Sequence, residues 1–391
     1  MAQGRKACYP ERCAPRGCGS PGRGDPHHIP NEETAQTVIY FLSFIVVLGI
    51  LIFVHEFGHF VVARRLGVGV TKFSLGFGPK LAGFTRGGTE YIISAIPLGG
   101  YVKLVGENEA EEVPPEERER AFSHKPVWVK MAVVGAGPVA NLGFAFLVFW
   151  LLFLSGVPAL TPKIGDVLPD TPAARAGLEA GDLIVRVGEK EITTWEELAA
   201  GIGKSGAGKG LPLTVRRGEK EFRVEVTPET REGRTIFGEK TEGPKIGVVA
   251  SNEVIHRKVN PVAAIGRAAG ETWRIIRLTV LTVVKLVMRV IPSDNLGGPI
   301  LIAQMAGDQA KEGISPFAYF LGLLSVNLGI LNLLPIPILD GGHLLFFSIE
   351  ALRRKPLSPE ARVMAQQVGL AVILMLTALV FYNDIARLIA G

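Results

Sequence analysis

Four long apolar stretches constrain the fold of this 391-residue chain more than any other feature. Each reaches the length of about 20 residues that an α-helix needs to cross a bilayer. The third stretch is interrupted by the segment NLLPIPILDGG. The stretches are residues 37–63, 127–156, 315–349 and 364–382. They predict a polytopic α-helical membrane protein with about four transmembrane helices.

A more polar region separates the second and third stretches and predicts an inserted soluble domain. Hydrophobic residues make up 48% of the chain, yet charged residues still make up 20%. Within residues 160–250, segments such as DLIVRVG and EFRVEVTP alternate apolar and polar residues, which is typical of half-exposed strands. The string DTPAARAGLEAGDLIVRVG resembles a PDZ domain of the bacterial protease type, and the alternative is another small β-rich domain. We therefore expect an α+β PDZ domain at 160–250.

Two further segments are predicted to lie at the membrane without crossing it. Residues 70–105 combine many glycines with strand-like composition and follow the first span directly, which predicts a membrane-associated β-hairpin region. Residues 257–291 carry Arg274, Arg277 and Lys285 among apolar side chains. That pattern favours an amphipathic helix in the interface.

The charged residues and the cysteines exclude some functions. The net charge of +5 is small and scattered, so nucleic acid is not an expected partner. Residues 1–36 are rich in glycine, proline and arginine and predict a disordered tail. An odd number of cysteines in this tail does not make a disulfide framework, and a metal-binding tract is the less favoured alternative. The cysteines are Cys8, Cys13 and Cys18.

Basic residues in the short loops predict the orientation of the spans. Arg64 and Arg65 end the first span, and the loop between the third and fourth spans contains RRKP and Arg362. Four spans place both loops on one side, which the positive-inside rule assigns to the cytoplasm. The 160–250 domain then lies outside. The basic N-terminal tail argues for the opposite orientation but is farther from the span.

The first span contains the sequence HEFGH, which predicts a metal site. His55, Glu56 and His59 are the only side chains between Thr37 and Ala63 that can be charged near neutral pH. Each polar group costs about 2–3 kcal/mol in an apolar span even on lenient scales. Residues four apart share a helix face, so the two imidazoles can bind one ion while Glu56 acts as acid and base towards water. Hydrogen bonding to other spans is the structural alternative.

Asp340, in NLLPIPILDGG, is the candidate for a third metal ligand. Catalytic zinc usually has three protein ligands and one open position. Pro335 and Pro337 break the helix, and the glycines after Asp340 loosen the chain, so that its carboxylate can face the first span. An N-cap role for Asp340 is the alternative. His343 is a rival ligand, and two imidazoles with a carboxylate fit Zn²⁺.

These motifs together resemble the bacterial site-2 proteases of the RseP type, which are intramembrane zinc metalloproteases. The resemblance is carried by HEFGH, FSLGFGPK, PLGGYVKL, GPVANLGFAF and NLLPIPILDGGH and covers the chain from about residue 37. It implies that His55, His59 and Asp340 bind zinc, that Glu56 is catalytic and that Asn332 contacts the substrate backbone. The strands around GYVKL would hold an unwound substrate as an added strand. The best-known members carry two tandem PDZ domains, whereas 160–250 has room for one.

The resemblance implies an endopeptidase of the bacterial inner membrane, with the PDZ domain on the periplasmic side. Its partners would be the lipid bilayer, peptide tails at the PDZ domain and single-span membrane proteins. Transmembrane segments of the latter, such as anti-sigma factors or remnant signal peptides, would be cleaved in regulated intramembrane proteolysis. A non-enzymatic scaffold would need a fourth ligand to close a structural metal site, for which His343 is the candidate. A metal transporter would need further ionisable groups along the spans.

Overall fold

The computed structural model describes most of the chain beyond the N-terminal tail. The described residues are 32–107, 113–234, 240–251, 253–257, 259–290 and 296–390. Residues 1–31 of the tail expected at 1–36 lie outside the described residues, and so do its three cysteines. Residues 32–36 are already helical, so the first helix begins before the expected start at residue 37.

Nine helices are found among the described residues, and four of them are long and apolar enough to span a membrane. These four are α1, α2, α7 and α9. The helices are α1 (Glu32–Arg65), α2 (Val127–Ser155), α3 (Pro172–Arg175), α4 (Trp195–Ser205), α5 (Pro261–Val287), α6 (Pro299–Glu312), α7 (Ile314–Asn332), α8 (Asp340–Arg353) and α9 (Pro359–Ala390). These four helices fit the expectation of about four spans by length and composition, and the number that crosses the membrane stays a prediction. The third apolar stretch, expected at 315–349, is divided between α7 and α8.

The strands form an N-terminal pair and a group between α2 and α5. The first two are β1 (Val70–Arg86) and β2 (Thr89–Leu104). The others are β3 (Val157–Leu160), β4 (Ile164–Val167), β5 (Leu183–Val187), β6 (Lys190–Glu191), β7 (Leu211–Arg217), β8 (Lys220–Val226), β9 (Glu229–Arg234), β10 (Lys240–Lys245), β11 (Val248–Ala250) and β12 (Val254–Arg257). Two short 3₁₀ turns, Pro115–Arg120 and Phe122–His124, precede α2.

Small residues allow α2 to pack closely against α1 and α7. A Cβ on Gly58 of α1 would lie 2.5 Å from the carbonyl oxygen of Ala136. A Cβ on Gly329 of α7 would lie 3.0 Å from the carbonyl oxygen of Pro138. Close backbone approach at small residues is a common way for membrane helices to associate. Helix α2 therefore lies between α1, which carries HEFGH, and α7, which precedes the segment that contains Asp340.

Strands β1 and β2 bend back on themselves and together make a sheet of four segments. Residues 72–75 pair on one side with residues 90–93 and on the other with residues 100–103. The chain turns between the two halves of β2 at Gly99, whose φ of +120° is accessible mainly to glycine. Residues 100–104 thus form one edge of this sheet, next to α1. The contact of the sheet with lipid stays a prediction.

The strands between α2 and α5 build a small α+β domain, called the inserted domain below (residues 157–257). Its central sheet is antiparallel in the order β6-β5-β7-β8. The buried core contains Ile184, Leu198, Leu213 and Val226. The domain extends over residues 157–257 and is longer than the expected 160–250, because β3 and β12 belong to it. Strand β3 follows α2, strand β12 precedes α5, and the two strands pair with each other. This closing pair is too short to show as an alternating pattern.

A buried ion pair stabilises the inserted domain. Asp182 is fully buried, and its carboxylate accepts hydrogen bonds of 2.6 and 2.8 Å from the Arg217 guanidinium. The backbone N–H of Glu179 donates a third, of 3.0 Å. Burial alone would raise the pKa of Asp182, but the hydrogen bonds from Arg217 and Glu179 outweigh it and lower the pKa.

Helix α5 lies within the segment expected at 257–291 as an interfacial helix. Its buried stripe is Ala264, Ala268, Thr272 and Ile275, which faces α2 and α7. The Thr279 hydroxyl donates a 2.6 Å hydrogen bond to Asn327 Oδ1 on α7. The helix is not among those long and apolar enough to span a membrane. Its position in the interface stays a prediction.

Candidate metal centre

His55 and His59 lie on one face of α1, as their spacing predicts. Their Nε2 atoms are 3.3 Å apart, and the rings meet edge to face. The side chains of His55 and His59 are only 12% and 13% exposed. Two imidazoles so close together and so well shielded from solvent bring their Nε2 atoms to one point, which is the arrangement that a shared metal ion requires.

Asp340 reaches the same point because the chain breaks between α7 and α8. Leu339 is the N-cap of α8 and Asp340 is its first residue, with no side-chain capping hydrogen bond. The capping role considered for Asp340 is therefore wrong. The turn requires glycine at two positions, because a Cβ on Gly341 or Gly342 would lie 2.3 Å from a backbone oxygen of residues 333–336.

The three side chains have the geometry and chemistry of a zinc site. One oxygen of Asp340, Oδ2, lies 3.1 Å from His55 Nε2 and 3.6 Å from His59 Nε2. The ligand atoms of the three residues lie within 4.8 Å of one another. Oδ2 is buried and accepts no hydrogen bond within the described part of the chain. A buried carboxylate oxygen without a donor, facing two imidazoles, fits a divalent cation.

Helix α2 contacts the other nitrogen of each imidazole. The Nδ1 atom of His59 lies 2.8 Å from the carbonyl oxygen of Val133, and the Nδ1 atom of His55 lies 3.2 Å from Nδ2 of Asn141. Between them, Gly137 leaves room for both rings. Sequence reasoning missed these α2 residues. The only signal for Asn141 is a single carboxamide in an apolar span, four residues after a glycine.

Glu56 and the metal-facing side chains line one cavity of about 520 Å³. Glu56 is half-buried, and Gly100 at the edge of the sheet lies against it. His343 also lines the cavity, but the described group that could hold a metal contains only His55, His59 and Asp340. The cavity therefore places a carboxylate that can accept a proton beside the candidate metal ligands.

Asn332 lies at the margin of this group. It is the last residue of α7, and its Nδ2 is 3.5 Å from His55 Nε2. A carboxamide at this position is close enough to reach a molecule bound at the candidate ligands. Contact with a substrate backbone, however, stays a prediction.

The sequence of most of the chain matches known proteins. The model of a family described as "Peptidase family M50" matches residues 43–376. A Rhizobium meliloti protein provisionally named a zinc metalloprotease is 39% identical over 88% of this chain and 95% of its own length. The regulator of sigma-E protease RseP of Escherichia coli is 34% identical over 88% of this chain and 98% of its own length.

A solved structure matches part of the chain. The PDZ domain of an SdrC-like protein from Listeria innocua is 23% identical and covers 25% of this chain and 99% of its own, with a TM-score of 0.20. This score is too low to establish a shared fold.

Proposed function

Since the chain belongs to peptidase family M50, the site-2 proteases, and is a zinc metalloprotease, we propose that it cleaves transmembrane segments of single-span membrane proteins. The match extends over most of the chain and includes two of the four apolar helices completely and most or part of the other two. It favours an enzyme over the scaffold and the transporter. A role in regulated intramembrane proteolysis follows from the same family.

The observation that carries the proposal is the meeting of His55, His59 and Asp340 at one point beside Glu56. Both imidazoles come from an apolar helix, and the carboxylate comes from the turn that follows another apolar helix. We propose that these three residues hold zinc. When bound, zinc supplies a Lewis acid that polarises water and the peptide carbonyl.

Glu56 performs the proton transfers in this proposal. Its carboxylate accepts a proton from the attacking water and returns it to the amine that leaves when the peptide bond breaks. The half-buried position of Glu56 at the cavity wall leaves its carboxylate beside the candidate metal ligands, within reach of a water and a peptide bound there. The two products are the new carboxylate and the new amine of the cut segment.

The sheet edge at residues 100–104 is the proposed substrate platform. Residues 100–103 pair on one side with residues 72–75, and Leu104 pairs with Val70. Strand β1 is the one strand paired with this segment within the described residues. An exposed edge offers backbone N–H and C=O groups to an extended segment, which must unwind before it can be cut. Asn332, opposite His55, would hydrogen-bond to the substrate backbone.

The protein is a multi-pass inner-membrane protein, and its topology supports a finer proposal. We place the C-terminal ends of α1 and α8 on the cytoplasmic side, because basic residues cluster at both: Arg64 and Arg65 in the last turn of α1, and Arg353, Arg354 and Lys355 at the end of α8. The inserted domain would then be periplasmic and would bind peptide or protein tails as a PDZ domain. Anti-sigma factors and remnant signal peptides are the substrates that we propose.

The experiment is co-expression of the full chain with a tagged single-span substrate, comparing wild type with Glu56→Gln. We expect Glu56→Gln to bind zinc and to lose cleavage, because the amide cannot accept the proton. The exposed Glu119 provides a matched control, since Glu119→Gln removes the same charge at a residue that does not line the cavity. Undiminished cleavage by Glu56→Gln would show that Glu56 is not the base.

A further inference from the structure

The protonation of His59 is fixed by its contact with α2. Its Nδ1 atom lies 2.8 Å from the carbonyl oxygen of Val133. A carbonyl oxygen accepts hydrogen bonds and cannot donate them, so Nδ1 of His59 must carry the proton. The lone pair is then on Nε2, the atom that faces Asp340. The backbone of α2 thus selects the form of His59 that can bind a metal through Nε2.

The partner of His55 does not impose this choice in the same way. Asn141 is fully buried and places its Nδ2, a donor, 3.2 Å from His55 Nδ1. A donor at this place favours a lone pair on Nδ1 and the proton on Nε2. Yet Nε2 is the atom 3.1 Å from Asp340 and must have a lone pair to bind an ion. This orientation of the Asn141 carboxamide therefore favours the His55 tautomer that cannot bind a metal through Nε2.

The other end of the same carboxamide resolves this conflict. Asn141 Oδ1 is buried and has no hydrogen-bond partner within the described part of the chain. The oxygen and the amino group of a carboxamide have nearly the same shape, so a half-turn exchanges acceptor for donor with little movement of neighbouring atoms. Such a turn breaks no hydrogen bond to Oδ1 and presents an acceptor to His55 Nδ1.

We propose that Asn141 is a positioning residue whose Oδ1 accepts the Nδ1 proton of His55 when zinc is bound. It thereby fixes the tautomer and the ring plane of that ligand. The inference rests on the proposed zinc site of His55, His59 and Asp340. The backbone of Asn141 is held in place by Ser325 of α7, whose hydroxyl donates a 2.8 Å hydrogen bond to the Asn141 carbonyl. The carboxamide can therefore turn while its helix stays fixed.

A pair of substitutions tests the acceptor role. Asn141→Leu removes the hydrogen bond, and we expect zinc affinity to fall roughly 10- to 100-fold, as is typical when a partner of a metal-bound histidine is lost. Asn141→Asp offers only acceptors, so we expect zinc affinity to stay within a few-fold of wild type or to rise. Affinity is measured on the purified full chain by competition with a graded series of chelators, with the spectrum of bound Co²⁺ as a second readout.

Asn327 on α7 supplies the matched control. Its Oδ1 accepts a hydrogen bond from Thr279 and does not touch the metal ligands. Asn327→Leu and Asn327→Asp make the same changes in a neighbouring helix and should leave zinc affinity unchanged. A general loss of helix packing would affect zinc binding by both pairs of variants.

Two results would overturn the inference. Wild-type affinity in Asn141→Leu would show that His55 needs no partner at Nδ1. An Asn141→Asp variant that binds zinc at least tenfold more weakly than the wild type would show that the acceptor is not what matters. This comparison with the wild type still decides if the leucine variant fails to fold. Absence of zinc from the wild type itself would instead refute the proposed metal centre, on which the inference depends.

Discussion

Gly137 of α2 lies so close to His59 of α1 that a Cβ at residue 137 would be 2.3 Å from His59 Nε2. The same Cβ would be 2.8 Å from His55 Cε1. The absence of a side chain at this position therefore creates the space in which the two imidazoles meet. The meeting of His55 and His59 with Asp340 thus depends on Gly137, which has no functional side chain.

The first prediction is that Gly137→Ala disrupts zinc binding. The added methyl group must push one or both imidazoles away from Asp340, and overpacking of this kind commonly costs about 1–3 kcal/mol of stability. Zinc content of the purified full chain, measured by atomic emission, should fall well below one ion per chain. Gly143 on the same helix is the control, because a Cβ there meets no atom within 4 Å. Full zinc content in Gly137→Ala would contradict the prediction.

The second prediction separates catalysis from zinc binding at the edge of the sheet. A Cβ on Gly100 would lie 3.0 Å from Glu56 Cγ, 2.9 Å from Ile52 Cγ2 and 2.8 Å from the Ser74 carbonyl oxygen. Gly100→Ala should therefore shift Glu56 or the edge strand and reduce cleavage of a model substrate at least tenfold, which corresponds to about 1.4 kcal/mol in the barrier. Zinc content should be retained.

Gly49 on α1 is the control for Gly100, since its Cβ would be in open space. Gly49→Ala should cleave as the wild type does. Loss of zinc from Gly100→Ala would mean that the strand supports the metal ligands and not Glu56, and it would refute the separation of the two roles.

The third prediction is that His343→Ala retains zinc. His343 lines the cavity but does not belong to the described group of candidate ligands. Catalytic zinc keeps one position open for water, whereas a structural site is closed by a fourth protein ligand. We expect one zinc ion per chain in His343→Ala and none in Asp340→Asn, both measured after dialysis. A zinc-free His343→Ala would support a closed structural site.

The fourth prediction concerns pH and the inserted domain. The hydrogen bonds from Arg217 and Glu179 lower the pKa of Asp182 below that of the unfolded chain, which is about 3.9. The folded form therefore binds a proton less readily, and the pair contributes stability that is fully present above pH 5. That contribution is lost as the pH falls through the lower pKa of the folded state.

This stability is measured by hydrogen exchange of β5 and β7 in the full chain between pH 3 and 7, corrected for intrinsic exchange rates. Wild type should lose protection towards acidic pH more steeply than Asp182→Asn, which has no carboxylate to titrate. Glu221→Gln is the control, because the Arg216–Glu221 pair is 48% exposed on both sides and such pairs contribute little. Equal slopes in wild type and Asp182→Asn would contradict the assignment.

The parts of the molecule that follow from local sequence were predictable. Long apolar runs give long helices whatever packs around them, and HEFGH in a helix must put His55 and His59 on one face. The role of Asp340 as a candidate ligand was predictable for a different reason. Pro335 and Pro337 cannot continue a helix because of their ring geometry, so a carboxylate just beyond them must lie after a break in the helix.

The contacts of α2 were not predictable from one sequence. Val133, Gly137 and Asn141 lie on one face by their spacing, but nothing in the chain says that this face meets His55 and His59. The rotation of one helix about its axis relative to another is decided by tertiary packing. Val133 contributes only its carbonyl oxygen, which every residue has, so its side chain gives no signal at all.

The pairing of β3 with β12 has a consequence for how proteins of this kind can diversify. Val157 lies opposite Arg257, so the two strands that connect the inserted domain to α2 and α5 pair with each other. This two-stranded pair is called the stem. Material can be added, doubled or deleted above such a stem while the membrane helices below it keep their spacing. The number of inserted modules is thus free to change between related proteins without rebuilding the helices around the candidate metal site.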